Sequence, residues 1–216
     1  MDWEGHAERE ESRYADAVER MPTDPDPRQK QLVRAAMAAG GAGLVRLMQG
    51  REAEAAGWFT RSAERYRESW ADAPAESWGR LIGALKARLL ARGWDGAEAD
   101  ARWALEQSPA EAESPIGRYA AVLALLVLGR DREATRLTQV LATEPGFPPL
   151  VAGALDALAR GDAGAYGCAV ASVLRSFEDR NEYLENIPVA DTVIVLEALA
   201  ERRGIASRPA SDLLPA

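Results

Sequence analysis

Helix-forming segments recur along the chain, with apolar residues three and four positions apart, as in helices that bury one face. The stretch 112–144 shows this pattern most completely. Ser114, followed by a proline, has the features of a helix start, and the run from Tyr119 to Leu128 is apolar on every side. Gly129 ends this helix, and Asp131 is placed to cap a second, amphipathic one. We therefore expect a helical hairpin whose first helix is buried all round.

Looser copies of this hairpin account for most of the remaining chain. Outside 112–144, helices are predicted at residues 2–20, 28–49, 52–70, 77–91, 95–107, 150–159, 163–177 and 189–203. Three prolines within residues 22–27 predict a break after the first helix. The predicted fold is all-α, with about ten helices in stacked antiparallel helical hairpins. We divide it into an N-terminal helical arm (1–21), a helical-repeat domain (28–203) and an extended C-terminal tail (204–216).

The hairpins are related by a recurring helix end. A helix that stops at glycine, followed by a polar residue and an alanine-bearing helix, recurs at intervals of 43, 36 and 32 residues. The glycines are Gly50, Gly93, Gly129 and Gly161. Periods of this size are typical of stacked helical pairs.

Two second helices carry an Ala-x3-aromatic pattern, as Ala55 with Phe59 and Ala99 with Trp103. With this pattern and the repeat, the stretch from roughly Leu32 to Phe177 resembles the tetratricopeptide-repeat family. The resemblance implies a right-handed superhelix that binds a protein or peptide on its concave face.

The first helices of successive hairpins line the concave face of such a superhelix. Arg80 and Arg118 occupy matching places just inside two predicted first helices, each beside an aromatic residue. Arginine and aromatic residues are enriched in binding hot spots. The candidate binding residues are Trp78, Arg80, Glu113, Arg118 and Tyr119. A structural alternative also stands, in which each arginine forms an internal ion pair with Glu76 or Glu113 and the aromatic rings pack in the core.

Net charge and residue content limit the ligands and catalytic sites that we expect in this chain. The net charge of −8 at pH 7 argues against nucleic acid and anionic membranes as partners, because no basic stripe is present to neutralise phosphates. His6 is the only histidine and Cys168 the only cysteine, so a zinc site, a Ser-His-Asp triad and an internal disulfide are not expected. We expect His6 at the surface and Cys168 in the core. No cofactor or metal is predicted, and the chain is predicted not to be an enzyme.

A second resemblance concerns the stretch from Ala165 to Pro215. Here an amphipathic helix is followed by RNEYLENIPVADTVIVLEALAERRG and by a short tail ending SDLLP. This order resembles the C-terminal part of all-α immunity proteins from bacterial polymorphic toxin systems. The resemblance implies a protein that neutralises a toxin.

Three functions follow as hypotheses. The leading one is a non-enzymatic protein-binding or scaffold module whose partner is another protein or a peptide. The alternatives are an immunity protein and a hydrolase with carboxylates and Arg80 or Arg118 in a closed pocket. The acidic, polar start has no basic or apolar signal region, so a cytoplasmic protein is expected. Self-association is a further expectation. The apolar helix Val189–Leu199 is suited to pack either as a cap on the repeats or against a second copy of the chain.

Overall fold

The computed structural model describes residues 2–215, apart from the side chain of Leu184. Within this range it contains ten α-helices and no strand. They are α1 (Trp3–Glu19), α2 (Pro25–Met48), α3 (Glu52–Ser69), α4 (Gly79–Leu90), α5 (Trp94–Glu106), α6 (Pro115–Val127), α7 (Asp131–Leu141), α8 (Pro149–Arg160), α9 (Ala163–Glu178) and α10 (Asp191–Glu201). The all-α prediction is confirmed. The predicted arm and tail also include Met1 and Ala216, which lie outside the described residues.

Proline and serine set two helix starts in different ways. The break after the first helix is present, but α2 begins at Pro25, three residues before its predicted start at Arg28. Pro25 and Pro27 occupy its first turn, where backbone N–H groups have no intrahelical acceptor and a missing donor costs nothing. Ser114 caps α6 as predicted, since its hydroxyl accepts a hydrogen bond from the Ile116 N–H at 3.2 Å.

Two predicted end features are corrected by the structure. Asp131 does not cap α7: Arg130 holds the N-cap position without a side-chain cap bond, and Asp131 instead accepts a hydrogen bond from Arg203 at 2.6 Å. Of the four repeated glycines, Gly93 is the one without a positive φ, and Arg92 holds a φ of 56° in its place. The repeated glycine Gly93 therefore lies one residue after the residue that adopts the left-handed backbone conformation.

The chain divides into two compact units. Unit 1 comprises residues 2–93, 182–189 and 214–215, and unit 2 comprises 94–181 and 190–213. In unit 1, α1 packs on α2, α2 on α3 and α3 on α4. In unit 2, α5 to α9 do the same, and α10 packs on α8 and α9. Consecutive packed helices joined by short connectors run antiparallel, as the hairpin prediction requires.

Helix α1 is connected to α2 by ion pairs of the buried Arg46. Arg46 of α2, whose side chain is 7 % exposed, donates to Glu11 at 2.6 Å and also approaches Glu4. Burial by itself lowers the pKa of Arg46, but the hydrogen bonds and charges of these carboxylates raise it overall. Glu10 is fully buried, and it accepts hydrogen bonds from Arg9 at 2.9 Å and from its neighbour one turn later. The predicted arm is thus a packed helix.

The core of unit 2 is built around α6. Residues 120–127 of this helix are all buried, which confirms the prediction of burial on every side. Helix α10 begins at Asp191, two residues later than predicted. The N–H of Ala190 donates to the Leu213 carbonyl at 2.9 Å, so the backbone just before α10 is bonded to the tail.

The C-terminal tail is fastened to α10 by one buried carboxylate. Glu197 accepts hydrogen bonds from the N–H of Ser207 at 3.3 Å, from the N–H of Arg208 at 2.6 Å and from the hydroxyl of Tyr166 at 2.7 Å. Burial, and then the Glu197 carboxylate, raise the pKa of Tyr166 well above its usual value. The predicted extended tail therefore has a defined anchor.

The position of Cys168 contradicts a further prediction. It was expected in the core, and the structure places it at the surface of α9. The buried face of α9 is formed by Tyr166, Val170, Val173, Leu174 and Phe177. Cys168 lies two positions from the first of these, on the opposite side of the helix.

Candidate binding residues and the exposed end of unit 2

Trp78 and Arg80 both lie against the C-terminal turn of α3 in unit 1. The indole of Trp78 packs against Trp70 with ring centroids 5.9 Å apart. Arg80, in the first turn of α4, donates to the backbone carbonyl of Ser69 and to the side-chain oxygen of Gln29. One guanidinium group therefore connects α2, α3 and α4.

The partners of Arg80 are neutral oxygens. Within residues 2–215 it forms no ion pair with a carboxylate, and burial lowers the pKa of its guanidinium. The carbonyl of Ser69 ends α3, where the helix dipole is negative, so the charge of Arg80 has a favourable position without a carboxylate. The Nε1–H of Trp78 is buried and has no acceptor in the described part of the chain. Arg80 therefore makes internal contacts, but the ion pair with Glu76 or Glu113 that the structural alternative predicts is not formed among the described residues.

The other candidates, Glu113, Arg118 and Tyr119, lie at the start of α6 in unit 2. Arg118 forms an ion pair with Glu144 of the α7–α8 connector, and the Tyr119 ring packs on Phe147 with centroids 5.3 Å apart. The predicted pairing of Arg118 with Glu113 is therefore wrong.

The structure brings the five candidates together in two groups, one in each unit. Arg80 belongs to the unit 1 group and Arg118 to the unit 2 group. The groove predicted to be common to both arginines stays a prediction, as does the concave face.

Sequence reasoning missed a set of exposed apolar side chains in unit 2. Among the described residues, four large aliphatic side chains are exposed, and three of them belong to this unit. Ile116 is 41 % exposed, Val140 40 % and Leu150 45 %. Each was assigned to a helix by its pattern, but exposure at a helix end also depends on how the adjoining connector packs, which periodicity does not describe.

These three side chains lie at the same end of unit 2. Ile116 is in the first turn of α6, Val140 in the last turn of α7 and Leu150 in the first turn of α8. The contacts of Arg118 and Tyr119 with the α7–α8 connector show directly that the start of α6 lies beside the end of α7. We call this region the α6–α8 end: the segment 106–119, the last turn of α7, the connector 142–148 and the first turn of α8.

The opposite end of α6 is closed by arginines. Arg203 donates to the Leu126 carbonyl at 2.7 Å, and Arg202 donates to Glu98 at 2.7 Å while lying over the Trp94 ring. A cavity of about 170 Å³ beside them is lined by Leu126, Val127, Leu128, Gly129, Asp131, Arg202 and Arg203. Neither Arg80 nor Arg118 lines it. Among residues 2–215, no group of three or more His, Cys, Asp or Glu side chains is placed to hold a metal ion.

No helix in the described part of the chain is both long and apolar enough to cross a membrane. The chain matches no protein-family model, no curated protein and no solved structure.

Proposed function

We propose that this chain is a non-enzymatic protein-binding module that holds its partner at the α6–α8 end of unit 2. The observation that carries the proposal is the concentration of Ile116, Val140 and Leu150, each at least 40 % exposed, at this one end. Single exposed apolar residues are normal on a protein surface, whereas a group of them marks an interaction site.

The exposed apolar surface is large enough to matter for affinity. Full burial of a Val, Leu or Ile side chain contributes about 1.5–3 kcal/mol, so covering the exposed two fifths of three of them contributes about 2–4 kcal/mol. That range corresponds to a change of about 30-fold or more in the dissociation constant.

The α6–α8 end is also held in place before any partner arrives. The Arg118–Glu144 ion pair and the Tyr119–Phe147 ring contact fix the connector against α6. The connector enters α8 through two consecutive prolines at positions 148 and 149, which restrict its backbone. A surface that is already ordered loses less entropy on binding, so more of the apolar contribution appears as affinity.

The test compares a triple variant, Ile116→Gln/Val140→Gln/Leu150→Gln, with wild type in capture experiments from native lysate. Val18→Gln is the matched control, because Val18 is the fourth exposed aliphatic side chain, 37 % exposed, and lies in α1 of unit 1. Circular dichroism first establishes that all three proteins fold alike.

We expect a protein that wild type and the Val18 variant capture and that the triple variant loses, with its dissociation constant then measured by calorimetry. The proposal is wrong if nothing is captured, or if every captured protein binds the triple variant equally well.

An immunity protein is the second candidate function. The supporting observation is that the stretch from α9 to the tail has the helix, connector, helix and tail order on which the resemblance to immunity proteins rests. The measurement is co-expression with a toxin encoded beside this chain. Unchanged survival would reject this candidate while leaving the more general binding proposal intact.

A further inference from the structure

We infer that the partner segment is a basic, amphipathic peptide segment, with apolar side chains that contact the α6–α8 end and Lys or Arg side chains beside them. This inference rests on the proposed function and adds the chemistry of the partner. It follows from the formal charge of the segments that carry Ile116, Val140 and Leu150 and of those that pack beside them.

Three glutamates at this end have exposed carboxylates. Glu106 is the last residue of α5, Glu111 lies in the 3-10 turn Pro109–Glu111, and Glu113 directly precedes the cap of α6. None of the three forms an ion pair or hydrogen bond through its carboxylate within residues 2–215. Since α5 and the 3-10 turn both pack on α6, these carboxylates lie on the side of unit 2 where α6 begins.

The local formal charge at the α6–α8 end is negative. Residues 106–119 and 136–151 contain four glutamates and two arginines, which gives a formal charge of −2. Arg118 is paired with Glu144, and Arg136, which lies one turn before Val140 in α7, leaves the remaining three carboxylates in excess. Helix dipoles do not change this result, because the positive starts of α6 and α8 are accompanied by the negative ends of α5 and α7.

The negative charge of the α6–α8 end favours some binding partners over others. A second copy of the chain would bring the same carboxylates against this surface and a total charge of −8, so repulsion disfavours it. An acidic partner is disfavoured for the same reason. A segment with Lys or Arg beside its apolar side chains removes the repulsion and gives the unpaired carboxylates partners.

The experiment uses a random 12-residue peptide library displayed on phage, with the full chain immobilised. Selection on wild type is followed by depletion on Ile116→Gln/Val140→Gln/Leu150→Gln, so the surviving peptides are those that need the α6–α8 end. The most enriched sequences are synthesised, and their dissociation constants are measured at about 0.05 M and 0.5 M salt, where screening differs strongly.

Two charge variants separate local from total charge. Glu106→Gln/Glu111→Gln/Glu113→Gln neutralises the α6–α8 end. Its matched control, with glutamine at three exposed glutamates of unit 1, changes the total charge by the same amount. The control positions are Glu8, Glu19 and Glu64.

We expect the surviving peptides to be basic and apolar, and to lose about tenfold in affinity at the higher salt concentration. The α6–α8 charge variant should bind them about five- to tenfold more weakly at low salt, while the control triple stays within about twofold.

The outcomes distinguish the two proposals. If no peptide depends on the three aliphatic side chains, the proposed function is wrong and this inference falls with it. If such peptides exist but are neutral or acidic, or if both charge variants weaken them equally, the basic partner is overturned while the proposed function stands.

Discussion

Gly43 of α2 leaves space for the Phe59 ring of α3, and replacing it by alanine tests how tightly unit 1 is packed. A methyl group at Gly43 would lie 2.6 Å from Cδ1 and Cε1 of Phe59 and 3.0 Å from its Cγ. Phe59 is fully buried, so its ring cannot move into solvent. Ordinary carbon–carbon contacts are about 3.5–4.0 Å, and the ring or the helices must therefore shift by about 1 Å.

The expected magnitude is the balance of two effects. Alanine is favoured over glycine inside a helix by about 1 kcal/mol, which opposes the loss. Forcing an extra carbon into a filled core costs about 1–3 kcal/mol, and a rigid aromatic ring contacted at three atoms places Gly43→Ala at the upper part of that range. We expect a net loss of about 1–2 kcal/mol in the free energy of unfolding.

Gly57→Ala is the matched control in the same unit. Gly57 is exposed in α3, and the nearest atom to an added methyl group is a guanidinium nitrogen of Arg61 at 3.9 Å. This variant gains the helix preference without a clash, and should be more stable than wild type by about 0.5–1 kcal/mol. Urea titration followed by circular dichroism measures both variants.

A double variant shows whether the cause is the ring itself. Phe59→Leu leaves room for the methyl group, so adding Gly43→Ala in that background should cost less than it does in wild type. The reasoning is refuted if Gly43→Ala is as stable as Gly57→Ala, or if its cost is unchanged when Phe59 is shortened.

Three further outcomes follow from individual side chains. Because burial and a neighbouring carboxylate raise the pKa of Tyr166, its native hydroxyl keeps its proton where the unfolded one, with a pKa of about 10, loses it. Stability should therefore fall as pH rises above about 10, and Tyr166→Phe should remove that part of the fall in urea midpoints between about pH 8 and pH 11. Cys168, being exposed, should react with a maleimide in the native protein as fast as in urea, whereas reaction only after unfolding would contradict its placement. Arg80→Ala, which leaves buried oxygens without a donor, should cost about 2 kcal/mol in urea titrations, against less than about 1 kcal/mol for Arg118→Ala, whose ion pair is more open to solvent.

The helices could be predicted from sequence because their determinants are local. Apolar spacing within α6, its serine cap and the glycine after it are all within one stretch of chain, and the structure confirms each. The position of Cys168 shows where this reasoning fails. Alanines on every side of α9 leave its apolar direction ambiguous, and it is Tyr166 with Val170 and Phe177 that defines the buried face.

The partners of the candidate arginines could not be predicted, because they lie far away in the sequence. Arg80 binds Gln29, 51 residues earlier, and Arg118 binds Glu144, 26 residues later. Only the packing of three helices in one case, and of a helix on a connector in the other, brings these groups together. A carboxylate close in sequence, such as Glu113, was the natural expectation from local spacing and is not the one used.

The two ends of α6 differ in a way that supports the binding proposal. At its C-terminal end, Arg202 and Arg203 donate to the last carbonyls, so the backbone groups that a helix leaves open have partners from the chain itself. Helix α10, which the sequence suggested as a cap or a dimer seam, is buried from Val193 to Ala200 and presents little apolar surface. At the start of α6, by contrast, Ile116 stays uncovered beside unpaired carboxylates. The large exposed apolar side chains of unit 2 are therefore concentrated at the α6–α8 end. A partner that binds there can bury more apolar surface than elsewhere on this unit.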